Sequence, residues 1–372
     1  MGLLDFVFYS FIVVVSVQIV FYAFLFGKFA FLKSKPPIKE TVLEPVSVLI
    51  CAKNEAQNLK QFLPLILSQD YPDFEVVLIN DASHDSTLDV MEKYASKYSN
   101  VKIVNVKNTE AFWGNKKYAL TLGIKAATHK YLLFTDADCK PVSNQWIQNM
   151  ASHFVNNKTI VLGYGAYQKI NKSFLNKLIR YETLLTAIQY FSFAKIGIPY
   201  MGVGRNLAYH KNEFFKTNGF IKHIKIRSGD DDLFINEAAN ANNTSISYLE
   251  NSFTISNPKT TFNSWFRQKR RHVSTAKLYK VKHKILLALF YCSQILFWVV
   301  SIALLITLFK WQFVISLMLL RFVIQYLTVG FSAKKLNEID VLYLLPFLEV
   351  FLIGFQLTIF ITNLISKPNY WK

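Results

Sequence analysis

Two long stretches without a single charged residue constrain what this 372-residue chain can fold into. Residues 6–27 are uncharged over 22 positions and residues 285–309 over 25, and about 20 apolar residues are needed to cross the hydrocarbon core of a bilayer. Residues 311–333 carry only Arg321, and residues 341–366 carry only Glu349. The sequence therefore predicts four membrane spans, in which these two charged side chains face protein or water rather than lipid.

Lysines flank the predicted spans on one side of the membrane. They follow the first span, precede the second and lie between the third and fourth: Lys28, Lys33, Lys35, Lys39, Lys277, Lys280, Lys282, Lys284, Lys334 and Lys335. Because positive loops stay in the cytoplasm, we expect an integral protein of the cell (inner) membrane. An uncleaved anchor and linker would occupy residues 1–39, a cytoplasmic domain residues 40–284, and a region of about three spans residues 285–372.

The net charge is +18. The lysines that flank the predicted spans account for much of this positive charge, so a nucleic-acid partner is not needed to explain it. No basic run alternates with aromatic residues, as nucleic-acid-binding segments often do. We therefore predict contacts with membrane lipids and with a phosphorylated ligand, and no nucleic acid.

The central segment alternates short β-rich runs with helical patterns. The runs are residues 46–50, 75–79, 101–106 and 131–134, and the pattern at 116–127 is helical. Such alternation predicts an α/β fold with a parallel sheet built from right-handed βαβ units. Residues 184–199, rich in aromatics, fit either an interfacial helix or a core helix.

Polar side chains follow the first, second and fourth predicted strands, whose carboxyl ends should meet at one edge of the sheet. Asp81 can accept hydrogen bonds from a base or ribose, and Lys116 and Lys117 can neutralise phosphate. Asp136 and Asp138, one residue apart, suit a hard divalent cation that also holds a diphosphate. The alternatives are an Asx turn or helix cap for Asp81 and a solvated turn for the acidic pair.

Between about residues 44 and 280 the chain resembles membrane-bound family 2 glycosyltransferases, relatives of cellulose, chitin and hyaluronan synthases. Asn54 and Glu55 look like the family's Asn-Glu loop, and Asp81 like the second aspartate of its uracil-binding turn. The resemblance implies a GT-A (Rossmann-like) nucleotide-sugar-binding domain inserted between transmembrane helices. It also implies that Asp136 and Asp138 form the Asp-x-Asp motif, which holds Mg²⁺ or Mn²⁺ and the donor diphosphate.

Two further segments resemble family motifs that contact the acceptor. Gly204, Arg205 and Asn206 fall in a glycine-containing stretch that lines the donor sugar and the acceptor. Residues 228–233 are similar to the Thr-Glu-Asp segment, which assigns the catalytic base to Asp230, or to Asp231 if the register shifts by one residue. A glycine replaces the usual glutamate there.

Residues 268–272 resemble the Gln-x-x-Arg-Trp motif. Gln268, Arg270 and Arg271 would contact the nucleotide sugar, while His272 stands where tryptophan usually supports the acceptor. The loss of that stacking face argues against processive polymer synthesis. A basic patch that binds anionic lipid is the alternative for this stretch, and both roles are compatible.

The resemblance implies inverting transfer of a sugar from a nucleotide sugar, with UDP favoured, to a lipid or saccharide acceptor. The alternative is a catalytically inactive membrane scaffold or sensor that binds sugar nucleotides. The retained acidic residues argue against it, because a binding module needs no base. A transporter is disfavoured because the four spans contain few polar residues.

Overall fold

The computed structural model describes residues 2–33, 43–107, 116–226 and 228–366. Lys35, Lys39 and the predicted boundary between residues 39 and 40 lie outside the described residues. In chain order the elements are α1 (Leu3–Ala30), β1 (Val46–Ala52), α2 (Ala56–Leu67), β2 (Phe74–Asp81), α3 (Thr87–Lys97), β3 (Val101–Val106), α4 (Lys116–Ala126), β4 (Tyr131–Asp136), β5 (Cys139–Pro141), α5 (Trp146–Ala151), β6 (Ile160–Leu162), β7 (Gly165–Tyr167), α6 (Phe174–Lys195), β8 (Leu207–His210), α7 (Lys211–Lys216), α8 (Asp232–Ala238), β9 (Thr244–Ile246), β10 (Thr254–Ser256), α9 (Phe262–Val273), α10 (Val281–Ile306), α11 (Trp311–Lys335) and α12 (Leu345–Ile365).

The central segment forms a seven-stranded sheet in the order β3-β2-β1-β4-β8-β6-β9. Strands β3, β2, β1 and β4 are parallel, as the alternating pattern predicts, while β8 runs antiparallel to both β4 and β6. A small sheet of β5, β10 and β7 lies beside it. The predicted α/β fold is confirmed, and the antiparallel strand adds a feature that the βαβ pattern does not contain.

Strand β1 is buried on both faces because helices cover both sides of the sheet. Val48 and Ile50 pack with Leu63 of α2 on one side. Leu49 packs with Leu120 of α4 on the other. A strand of a parallel sheet covered on both faces reads as a continuous apolar run, which is why residues 46–50 show no polar alternation.

Four helices, α1, α10, α11 and α12, are long and apolar enough to cross a membrane. The two charged residues within the predicted spans are buried, as predicted: Arg321 is 0% exposed and Glu349 is 1% exposed. Arg321 Nη1 donates to Glu349 Oε2 at 2.9 Å, and its Nη2 donates to Gln18 Oε1 at 2.9 Å. Gln294 Nε2 also donates to Glu349, at 3.0 Å, so the charges face protein.

Helix α6 resolves the two alternatives for residues 184–199 in favour of a core helix. Leu184, Ile188 and Phe191 of this helix are completely buried. The Phe191 ring lies 5.0 Å from the ring of Phe29 at the end of α1. The helix therefore joins the central segment to the first apolar helix.

Candidate active site

The carboxyl ends of β1, β2 and β4 form one edge of the sheet, with β1 in the middle. In the strand register, Cys51 of β1 pairs with Asp136 of β4, and Ala52 pairs with Asn80 of β2. Asp81 ends β2 and Asp136 ends β4. The predicted convergence of these strand ends is confirmed, and a crevice at such an edge is where ligands bind in open α/β sheets.

Lys116, the first residue of α4, joins two carboxylates from distant segments at this edge. Its Nζ lies 2.8 Å from Asp136 Oδ1 and 3.1 Å from Asp230 Oδ2. Burial disfavours the ammonium ion, but the two carboxylates raise the pKa of Lys116 well above its ordinary value. Lys116 is therefore charged, and it brings the Asp-x-Asp segment and the acidic segment into one pocket, which Asp231 and Gly204 also line.

Asp230 and Asp231 are adjacent but have different partners and opposite pKa shifts. Burial opposes the ionisation of Asp230, but Lys116 outweighs it and holds the pKa of Asp230 below its ordinary value. Asp231 accepts hydrogen bonds from the backbone N–H groups of Gly204 and Asp232, both at 2.7 Å. Burial and the neighbouring aspartates raise the pKa of Asp231 to about 7. Asp230 thus faces a pocket cation, whereas both oxygens of Asp231 bind the backbone.

The residues on either side of this pair support the acidic segment. Asp232 accepts hydrogen bonds from Tyr279 Oη, at 2.6 Å, and from the Thr275 hydroxyl group, both in the connection from α9 to α10. Gly229 has a φ of 92°, and an added Cβ would lie 2.5 Å from Leu233 Cδ1. This backbone conformation explains why glycine stands where the family has glutamate.

Lys117 does not face phosphate, contrary to the prediction. It is 1% exposed, and its Nζ donates to the carbonyl oxygens of His223, Ile226 and Ser228 at 2.8, 3.0 and 2.7 Å. Its ammonium group holds the segment that leads into Asp230. The correction has a simple cause, since consecutive residues of a helix point about 100° apart.

Asp136, Asp138 and Cys139 form a group that could hold a metal ion, with ligand atoms all within 4.8 Å of one another. The two carboxylates are hard oxygen ligands of the kind that Mg²⁺ and Mn²⁺ prefer. Burial raises the pKa of the Cys139 thiol, and its Sγ lies 3.1 Å from Ser256 Oγ. With two carboxylates and one thiol that already contacts Ser256, the donor set fits a hard divalent cation better than zinc.

The loops after β1 and β2 are tied together by hydrogen bonds from the Asn-Glu pair. Asn54 N donates to Ser83 Oγ at 3.1 Å, and Asn54 Oδ1 accepts from His84 N at 2.9 Å. Glu55 N donates to Thr87 Oγ1 at 2.9 Å. Asn54 and Glu55 therefore join the two loops that border the crevice.

Asp81 lies between these loops and is 7% exposed. Burial raises the pKa of Asp81 even though Lys53 and Lys116 oppose this, and Lys53 Nζ lies 4.0 Å from its Oδ2. The turn that follows is closed by Asp85, whose Oδ1 accepts from Thr87 N at 3.0 Å. Asp85 therefore forms the Asx turn that was the alternative role considered for Asp81.

The glycine-containing segment divides into residues at the pocket and a structural residue. Gly204 lines the pocket, but Asn206 is completely buried. Asn206 Nδ2 donates to Tyr164 O and Ser252 O at 2.9 and 2.7 Å, and its Oδ1 accepts from Trp146 Nε1 at 3.1 Å. Since the fold uses this amide fully, the assignment of Asn206 to the acceptor is not retained.

Arg205 lies beside the candidate metal group. Its Nη1 donates to Ser256 Oγ at 2.9 Å and to Ala166 O at 3.0 Å, and its guanidinium lies 4.2 Å from the Tyr167 ring centre. Ser256 is also the neighbour of Cys139. Arg205 therefore places a fixed positive charge next to the acidic pair.

Helix α9 carries the segment that resembles Gln-x-x-Arg-Trp. Gln268, Arg271 and His272 are three and four residues apart and so share one face of the helix. Gln268 Oε1 is buried and has no hydrogen-bond partner among the described residues, while His272 is exposed. Lys269 forms a salt bridge with Glu182 of α6.

Arg270 points away from that face and binds the last helix. Its Nε donates to Asn363 Oδ1 at 2.9 Å, and its Nη2 donates to Ser366 Oγ at 2.8 Å. We therefore do not retain the assignment of Arg270 to the nucleotide sugar. Arg270 lies between Gln268 and Arg271 in the chain, but the turn of the helix points its side chain away from the face that those two residues share.

Residues 47–217, which include β1, β2, β4 and the acidic pair, match the family model described as glycosyl transferase family 2. These residues form a glycosyltransferase family 2 domain. The predicted family is confirmed, together with the GT-A fold and the four candidate membrane helices beside it.

Known relatives match parts of this chain. It is 37% identical over 93 residues to a cholesterol galactosyltransferase of Borreliella burgdorferi, covering 25% of each protein. It is 32% identical over 96 residues to a poly-beta-1,6-N-acetyl-D-glucosamine synthase of Staphylococcus epidermidis, covering 26% of this chain and 22% of the relative. The chain thus spans about a quarter of the length of these curated relatives.

Among solved structures, the chain is similar to a mannosyltransferase of Pyrobaculum calidifontis in complex with GDP-Man and Mn²⁺. The TM-score is 0.54 at 17% identity, and the match covers 87% of this chain and 99% of that one. At this identity the likeness shows the fold.

Two residues of the site were not predicted from the sequence. Lys53 precedes the Asn-Glu pair and lies beside Asp81. Its position directly after β1 is the feature of the sequence that could have predicted it. Trp265 lies three residues before Gln268 on α9, so the helical period placed it close to the motif face. It packs against Phe355 of α12.

Proposed function

We propose that this chain transfers a sugar, with inversion, from a nucleotide sugar to a lipid or saccharide acceptor at the cytoplasmic face of the cell membrane. The observation that carries the proposal is Lys116, which bridges Asp136 and Asp230. A cation clamp and a base at one pocket are what direct displacement of a diphosphate needs. A binding module has no use for the second carboxylate.

The donor site is built from the loops at the sheet edge. Asp81, with Asn54 and Glu55 beside it, would bind the nucleoside, and its match to the uracil-binding turn favours UDP. Asp136 and Asp138 would hold Mg²⁺ or Mn²⁺, as the chemistry of their oxygens suits. The similar mannosyltransferase was solved with a nucleotide sugar and Mn²⁺, which supports this type of donor complex.

Asp230 is the proposed catalytic base. Its ionised oxygen accepts the proton of the acceptor hydroxyl group as that oxygen bonds to the anomeric carbon, and the bond from this carbon to the diphosphate breaks. The electron pair leaves with the nucleoside diphosphate, whose growing negative charge Lys116 stabilises. A bound divalent cation would add further neutralisation of the leaving group.

The acceptor side is formed by α9 and the glycine segment. Gly204, Arg205 and His272 are the proposed acceptor contacts, and Gln268 and Arg271 would contact the donor from the same helix face. The buried Gln268 Oε1, with no partner among the described residues, supports a ligand contact because buried polar atoms are rarely left unpaired.

Turnover by purified protein tests the proposal. The detergent-solubilised chain should release nucleoside diphosphate from one member of a sugar-nucleotide panel when Mg²⁺ or Mn²⁺ and a lipid extract are present. Asp230→Asn should abolish release, and Asp89→Asn, a matched change at an exposed carboxylate on α3, should not. Tight nucleotide binding without turnover on any donor would instead favour the inactive scaffold or sensor.

A further inference from the structure

Helix α12 has the composition of a membrane span, but its beginning contacts the catalytic domain. In the connection that precedes it, Glu338 accepts from Arg180 Nε of α6 at 2.8 Å, and Asp340 accepts from Arg180 Nη1 at 2.7 Å. In its first turn, the Phe347 ring lies 5.7 Å from that of Phe174, where α6 begins. The start of α12 is therefore on the catalytic side of the membrane.

The other end of α12 contacts the catalytic side as well. Asn363 Nδ2 donates to Arg270 O at 3.0 Å, in addition to the bonds that Arg270 makes to Asn363 and Ser366. Arg270 belongs to α9, the helix that carries the motif residues of the site. Both ends of α12 thus contact elements of the catalytic domain.

The middle of α12 packs along α9. The rings of Trp265 and Phe355 stack at 4.1 Å with an angle of 11° between their planes. Buried α12 residues belong to the cluster that joins the catalytic-domain core to the adjoining parts of α1, α10 and α11, namely Leu345, Leu348, Leu352, Phe355 and Ile359. The cluster at the far end of the apolar helices contains residues of α1, α10 and α11, namely Phe8, Phe11, Val15, Phe297, Leu304 and Val314.

The length of α12 makes this arrangement decisive. A helix of 21 residues is about 31 Å long at 1.5 Å per residue. If it crossed the bilayer from its catalytic-side start, Ser366 would lie near the far side, which the Asp5 to Lys310 ion pair at 3.0 Å marks. Instead Ser366 binds α9.

We propose that only α1, α10 and α11 cross the membrane, and that α12 lies along the catalytic-side membrane surface with its outer face in the acyl chains. That outer face is exposed and mainly apolar, comprising Leu357, Phe360, Ile361, Leu364 and Ile365, which are 42–82% exposed. Thr358 is also exposed there, and its hydroxyl group donates to Gly354 O of the same helix at 2.8 Å. A helix with one face buried in lipid and the other against protein is stable at this depth.

Glu349, close to the start of α12, joins the buried network of the crossing helices. It bonds Arg321 of α11 and Gln294 of α10, while α12 continues towards α9. The partner of the outer face is therefore the bilayer, and its inner face positions α9 next to the pocket.

Cysteine labelling in sealed, oriented membrane vesicles tests the proposal without any activity measurement. Ser366→Cys reports on the end of α12, and a cysteine added after the last residue is a second reporter if that variant is poorly expressed. Lys93→Cys on α3 marks the catalytic side, and Leu308→Cys, between α10 and α11, marks the opposite side. The wild-type chain, with its native cysteines, is the blank for a membrane-impermeant maleimide.

The expected result is that Ser366→Cys and the added cysteine react from the same side as Lys93→Cys. Reaction from the side that labels Leu308→Cys would overturn the proposal, because α12 would then cross. Labelling only after detergent treatment would overturn it too, since the end of α12 would then be inside the bilayer. Because no turnover is measured, the result is independent of the proposed sugar transfer.

Discussion

Replacing Asp230 with asparagine should remove the base and leave the rest of the pocket in place. The side chain is 12% exposed and lies 3.1 Å from Lys116, so an amide of the same shape fits but cannot take a proton. Loss of a general base costs about 10²- to 10⁴-fold in rate, or roughly 3–5 kcal/mol in the activation barrier. Affinity for the donor should change little, because Asp136 and Asp138 remain.

Asp231→Asn is the matched change one residue away, and its effect should fall on stability. Both oxygens of Asp231 accept backbone N–H groups at 2.7 Å, and the amide nitrogen of asparagine cannot accept either of them. A buried donor left unpaired costs about 1–3 kcal/mol of folding free energy. Turnover by the surviving folded protein should stay within about tenfold of wild type if its only role is structural.

Three measurements on the two variants separate these roles. Nucleoside diphosphate release gives kcat and KM, titration with the sugar nucleotide in the presence of Mn²⁺ gives donor affinity, and thermal unfolding gives stability. A large loss of kcat in Asp231→Asn, with Asp230→Asn near wild type, would show that the register is shifted and the base is Asp231. If neither variant slows transfer, the proposed mechanism is wrong.

Three further outcomes are expected. Asp136→Ala should remove the Mn²⁺-dependent part of donor binding in equilibrium dialysis, whereas Glu92→Ala, on the exposed surface of α3, should keep it. Unfolded Asp231 ionises near its ordinary value of 3.8, but the folded group holds its proton to about pH 7, so it destabilises the folded state progressively as pH rises through that window. Wild type should therefore lose more melting temperature between about pH 5 and pH 8 than Asp231→Asn does, and equal slopes would contradict this. Trp265→Ala and Phe355→Ala, combined in a double-mutant cycle on thermal stability, should show a coupling free energy of about 0.5–1.5 kcal/mol. Strict additivity would mean that the stacked rings do not stabilise the fold as a pair.

The parallel half of the fold could be predicted because its strands are long and rich in β-branched residues. The run at 101–106 has the bounds of β3, and its flanking turn residues marked both ends. Strands β5, β6 and β7 have three residues each, too few to show a period. Their pairing depends on contacts between distant segments, which a local pattern does not contain.

The site was predictable where a residue's role depends on its place at a strand end. Asp81 and Asp136 end β2 and β4, the two neighbours of β1, so the order of the sheet places both at the same edge. Roles that depend on side-chain direction were less accessible. Lys117 follows Lys116 and Arg270 precedes Arg271, and on a helix a step of one residue turns the side chain by about 100°, into the loop for Lys117 and towards α12 for Arg270.

The apolar composition of α12 does not reveal its orientation in the membrane either. Hydropathy measures the cost of transferring a segment from water to hydrocarbon, and it does not record on which side of the bilayer each end of the helix lies. Only the partners at the two ends distinguish these orientations, and here Phe174 and Arg270 place both ends beside the catalytic domain. Because α9 packs on α12 and carries His272, the proposed acceptor contact, a change in how α12 sits in the leaflet would move His272 before it moved Asp136. Lipid dependence should therefore appear in the acceptor step more than in metal binding.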